Sequence, residues 1–151
     1  HDSELPLLIN DALEYNSYSW GYRYQGNIYS NGSQVTYTIS ANDSAGNIVG
    51  VYIDQDNSKL YFSLNGTLQN SGTGISIVSG TEYFFAIGDN TDGASGKWSA
   101  NFGNPSPSFA ISSSNSDPNG YGSFEYSTTI TGDGASKDFY ALCTKNLAEY
   151  G

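Results

Sequence analysis

Carboxylates, amides and aromatic rings are the chemically capable residues of this chain. Imidazole and thiol groups are nearly absent. The only histidine is His1, at the terminus, and the only cysteine is Cys143. A Ser-His-Asp or Cys-His nucleophile therefore cannot be assembled, and a zinc site of His and Cys ligands is excluded for the same reason. Cys143 follows Tyr140, Ala141 and Leu142 and reads as a small buried hydrophobe. With no second cysteine, no internal disulfide can form. No Gly-rich phosphate loop precedes a helix, and the 89–96 stretch, DNTDGASG, lacks the lysine such a loop needs.

Two acidic stretches remain. Asp54 and Asp56 are the closest pair of carboxylates, and glycoside hydrolysis asks for two of them about 5 to 10 Å apart across a cleft. Their setting, DQDNS, is that of a turn closed by side-chain to backbone hydrogen bonds, and turn formation accounts for them. Asp89, Asn90 and Asp92 offer oxygen donors of the kind calcium takes, without the Asp-x-Asp-x-Asp-Gly spacing of an EF-hand. A solvated turn is the expectation there. No metal, cofactor or catalytic residue is expected anywhere in the chain.

Aromatic side chains carry the remaining signal. The chain has 13 tyrosines, and Tyr15, Tyr18, Tyr22, Arg23 and Tyr24 fall close together where a loop meets a strand. Aromatic faces flanked by Asn, Asp and Arg suit sugar rings, whose C–H faces stack while their hydroxyls take hydrogen bonds. Trp20, Tyr22 and Tyr24 also read as one face of a strand packed on its neighbours. The ligand-binding candidates are Tyr15, Tyr18, Arg23 and Tyr24, with Asn90 and Asp92 from the acidic loop.

The elements that must position these residues are strands. The clearest stretch is IVGVYIDQDNSKLYFSLNG, residues 48–66. Ile48 to Asp54 is apolar on both alternate sets, as in a strand covered on both faces. Leu60, Phe62 and Leu64 share one face, with Tyr61 and Ser63 on the other. Asn65-Gly66 supplies residues tolerant of positive φ for a tight hairpin turn. Further strands are expected at Trp20–Tyr24, Ile28–Tyr29, Gln34–Ser40, Ile75–Val78, Glu82–Gly88, Lys97–Phe102, Ser123–Tyr126 and Phe139–Cys143, with turns at Asn31-Gly32 and Gly132–Ser136. Residues 1–19 form either a short helix, with Ser3 as cap and Pro6 in its first turn, or a long loop.

GVYIDQDNSKLYFSLNG, then YFFAIGDN at 83–90 and WSANFGN at 98–104, resembles the second half of a SPRY domain; WGYRYQGNIYSNGS at 20–33 resembles the element before it. The resemblance implies an all-β antiparallel sandwich, SPRY or concanavalin-like. Glucanases of related architecture commonly carry a Glu-x-Asp-x-x-Glu strand, and this sequence has none. The opening strands of the family are not matched ahead of Trp20. They are expected upstream in a longer parent chain, which the His1 start also suggests, or from a neighbouring subunit. The organisation expected is residues 1–19 as part of the same domain, 20–108 as sandwich core, and 109–151 as an extension leading to a further module. FYALCTKNL, residues 139–147, resembles the segment that follows such domains in bacteriophage tail and virion proteins.

Composition sets the outer bounds. A net charge of -10 with only 5 Lys and Arg argues against nucleic acid and against an anionic membrane surface. No apolar run is long enough to span a bilayer. The charge has a sufficient explanation in solubility at high local copy number. The expected function is a non-catalytic virion module, a tail fibre or surface appendage at the outside of the particle. Its loops would recognise host surface glycans, and its other partners would be virion subunits, including copies of itself. The alternative is a structural decoration or filament subunit completed by strands of neighbouring chains.

Overall fold

The structure is a computed structural model that describes residues 18–23, 25–37, 40, 44–87, 98–107 and 109–150. Nearly all of its regular structure is antiparallel β. Strands β1 (Trp20–Arg23), β2 (Asn27–Ser30) and β3 (Ser33–Val35) form a meander. Strands β4 (Val49–Asp54), β5 (Lys59–Leu64) and β6 (Thr67–Leu68) follow in order in a second sheet, where β7 (Ile75–Ser76) also pairs with β5. A short 3-10 turn at Asn70–Gly72 precedes β7, and a hairpin of β8 (Thr129–Gly132) and β9 (Ala135–Asp138) and a helix α1 (Thr144–Tyr150) complete the described elements.

Three of the hairpins close on the same chemistry. Asn31-Gly32, Asn65-Gly66 and Asp133-Gly134 each place two successive residues at positive φ. Their registers pair Ser30 with Ser33, Leu64 with Thr67 and Gly132 with Ala135, so each turn has two residues. Two positive φ values match the right-handed twist of the flanking strands, and Asn or Asp followed by Gly adopts them at least cost. The β4–β5 turn is longer. Asp54 closes it by accepting hydrogen bonds from the Asn57 backbone and side-chain amides at 3.0 Å, the role its Asp/Asn/Ser composition implies.

Alternation along β5 divides the packing. Leu60 and Phe62 point to one side, into a buried cluster with Ile28, Ile75 and Ile77, against which Trp20, Tyr22, Val35, Tyr37, Val49 and Tyr83 pack. The Tyr22 and Phe62 rings meet edge to face at 5.3 Å, joining the first sheet to the second. Tyr61 points to the other side and is fully buried. There it meets the β8–β9 hairpin, with Phe139 edge to face against both Tyr52 and Tyr61 and a 3.0 Å ion pair between Lys137 and Asp54. The β4–β7 sheet is thus the middle layer of an antiparallel sandwich.

Several sequence expectations shift. β4 is not covered on both faces: Tyr52 is, but Val51 and Ile53 are 38% and 40% exposed. They sit opposite Phe62 and Leu60 in register, so the covering layer reaches β5 and stops short of the outer strand. The final strand is β9 at Ala135–Asp138 rather than Phe139–Cys143, because the two-residue turn folds the chain back at once and frees Phe139 to pack on Tyr52. Described residues 82–87 and 98–102 form no strand. Tyr83 instead turns its hydroxyl onto the Val78 backbone N–H and carbonyl, at 2.8 and 2.9 Å. Asn101 turns its side chain onto Gly103 N–H and the Ser123 carbonyl, at 2.9 and 2.8 Å. The bonds of Tyr83 to Val78 and of Asn101 to Gly103 are local ones of the kind that compete with strand ladders. Ser123–Tyr126 contributes only an isolated bridge between Phe124 and Asn115. Helix α1 was not anticipated, although Lys, Leu, Ala and Glu within TKNLAEY all favour it.

Candidate recognition surface

The inward set of the first sheet fixes its outward set. Tyr22, Ile28 and Val35 lie across from one another and face the core. By alternation Gly21, Arg23, Asn27, Tyr29 and Gln34 face away. Tyr29 is registered against Gly21, and Arg23 against Asn27. Because Gly21 has no side chain, the Tyr29 ring is free to lean toward its diagonal neighbour, within the reach of such pairs. The Arg23 guanidinium carbon lies over that ring, 3.8 Å from its centroid. Beside it the Gln34 amide donates to Asn27 Oδ1 at 3.3 Å.

The result is a flat platform of one aromatic ring, one stacked guanidinium and two side-chain amides. Stacking on Tyr29 holds the guanidinium plane in place over the ring. A platform of this kind can take the C–H face of a sugar and hydrogen-bond its hydroxyls or a carboxylate. It contains no general acid, base or nucleophile.

Of the candidates named from sequence, Arg23 lies on this platform. Tyr18 is 53% exposed and precedes β1. Arg23 ends the strand, so roughly 10 Å of strand separates the two, three residue steps of about 3.3 Å. Tyr15, Tyr24, Asn90 and Asp92 lie outside the described residues, as does the 89–96 loop with its calcium question. The packing role expected for Trp20 and Tyr22 holds, with Trp20 edge to face on Tyr83 at 5.7 Å. Sequence reasoning missed Tyr29, Asn27 and Gln34. The signal was available: continuing the alternation of Gly21 and Arg23 across the Gln25-Gly26 turn puts Asn27 and Tyr29 on the same face.

Several carboxylates of the described residues have structural partners. Asp117 is buried and accepts from the backbone N–H groups of Asn119, Tyr121 and Ala141 and from the Asn146 amide. Burial works against its ionisation, but the bonds from Ala141, Asn146, Tyr121 and Asn119 outweigh it and hold the carboxyl below its usual range. Asp54 behaves likewise: burial opposes its ionisation, and Asn57 and Lys137 overcome it. Glu125 accepts from the backbone and hydroxyl groups of Ser112 and Ser113. Among the described residues no three His, Cys, Asp or Glu side chains gather where a metal ion could be held, and no helix is long and apolar enough to cross a membrane.

The described elements thus form an antiparallel sandwich with a side-chain platform on the outer face of its first sheet. The family model of the SPRY domain matches residues 3–101, well over half of the chain. The chain belongs to the SPRY domain family. The match starts ahead of Trp20, where the motifs that first suggested the family begin. No curated protein and no solved structure matches the chain.

Proposed function

We propose that this chain is a non-catalytic recognition module of a bacteriophage virion, carried on a tail fibre or surface appendage and reading host surface glycans. The observation that carries the recognition reading is the Arg23 guanidinium stacked on Tyr29 beside the Asn27 and Gln34 amides. Family membership supports it, since SPRY domains are generally interaction modules. The structural engagement of Asp54, Asp117 and Glu125 supports the non-catalytic part. Support for a phage origin is the resemblance of FYALCTKNL. A shallow platform binds each glycan weakly, and many copies on one particle raise the avidity without a tight single site. Binding of a multimerised chain to immobilised glycans, lost in Arg23→Ala, is the expected result. A folded multimer that binds none overturns the proposal.

A second reading, that of a structural subunit, is favoured by one observation. Among the described strands β4 pairs only with β5, and its Val51 and Ile53 are substantially exposed. A neighbouring chain adding a strand at that edge would cover them. Sedimentation of wild type against Val51→Lys tests this reading: oligomers that dissociate in the variant support it, and a monomer in both removes it.

A further inference from the structure

A second surface feature lies on the other side of the sandwich. The Asn65-Gly66 turn, the Asn70–Gly72 turn and β8 enclose an open groove of about 420 Å³, whose lining includes Gly66, Ser71, Tyr126, Ser127, Thr129 and Thr131. No Asp, Glu, Lys or Arg lines it, in a chain of net charge -10. The Ser127 hydroxyl is bonded to the Thr129 backbone and the Thr129 hydroxyl to Asp138, so a neutral ligand would meet the hydroxyls of Ser71 and Thr131, and a charged one would find no counter-charge in the lining.

Two local features give the groove a fixed shape. Tyr126 lies so close over Gly66 that a Cβ at that position would fall 2.5 Å from its Cδ1, so the ring stands as a wall against the turn. Opposite, Asn70, Ser71 and Gly72 take three successive positive φ values of 53°, 52° and 78°. Serine has no intrinsic preference for that region. The turn is held by hydrogen bonds from Thr73 N–H to the Asn70 carbonyl at 3.0 Å and from Asp133 N–H to the Gly72 carbonyl at 2.8 Å.

We propose that this groove is a binding site for a neutral, hydroxyl-rich ligand of the pyranose class. Its apolar face would lie on Tyr126 and its hydroxyls would meet Ser71 and Thr131. The proposal goes beyond the platform reading and does not rest on it, because the two surfaces belong to different sheets. The test is an amide-resolved NMR titration of the intact chain with maltotriose, cellotriose and chitotriose as probes. Saturable shifts at Gly66, Gly72 and Thr131 with at least one probe are the expected result. They should weaken by more than about tenfold in Thr131→Arg, which fills the groove from an exposed strand position, and in Tyr126→Ala. No saturable shift at these amides with any probe, or shifts that persist in Thr131→Arg, overturn the proposal. Shifts confined to Asn27 and Tyr29 overturn the groove and leave the platform standing. Shifts confined to the groove do the reverse.

Discussion

The hydroxyl of Tyr61 donates a 2.7 Å hydrogen bond to Asp133 Oδ2, tying the middle strand of the second sheet to a turn 72 residues further along the chain. The other oxygen of Asp133 accepts from Gly74 N–H at 3.2 Å. One carboxylate thus joins β5, the segment before β7 and the β8–β9 turn. The two groups shift each other in opposite senses. The Tyr61 bond, against burial and with help from Gly74, keeps the Asp133 carboxyl below its usual range. Burial first, and then Asp133, push the Tyr61 phenol well above its own.

Tyr61→Phe removes the donor and keeps the ring. The expected loss is about 1.5–3 kcal/mol, the range for a single hydrogen bond to a charged acceptor, read from urea denaturation near neutral pH. The Asp133 carboxyl should also titrate at a higher pH in the variant.

Gly132→Ala tests how closely the hairpin sits on the sheet. A Cβ there would fall 2.7 Å from Tyr61 Cε1, so ring or hairpin must move, at roughly 1–3 kcal/mol for an overpacked site. In a Tyr61→Ala background the same change should cost measurably less, because the two residues share one space. Equal costs in both backgrounds would place the strain elsewhere.

Acid should loosen the C-terminal region through Asp117. Its carboxyl titrates lower folded than unfolded. Its contribution is therefore complete above the unfolded value of about 3.9 and is lost as pH falls through the lower folded value. Exchange protection at the Tyr121 and Ala141 amides, both donors to Asp117, should fall in that acid range. Asp117→Asn should flatten this pH dependence and cost on the order of 2–3 kcal/mol near neutral pH, since an amide replaces an acceptor that serves four donors.

Much of this architecture could be read from residue order. Asn31-Gly32, Asn65-Gly66 and the DQDNS turn declared themselves, because their backbone requirements are local and few residue types meet them. The alternation of Leu60, Phe62 and Leu64 against Tyr61 gave β5 its two faces. What escaped was set by side-chain partners that alternation does not name. Tyr83 and Asn101 spend their polar groups on nearby backbone, which alternation cannot reveal. Tyr29 earns its place from the glycine across the strand pair, visible only once the register is known. Arg23 stood out from its type.

Glycan-array binding by the multimerised chain, with Tyr29→Ala and Tyr29→Phe alongside, tests the central claim most directly. The recognition reading predicts specific signals that survive Tyr29→Phe and drop by about tenfold or more in Tyr29→Ala, the loss of one stacking contact multiplied over several copies. Signals unchanged in Tyr29→Ala, or none from a folded wild-type multimer, would contradict it.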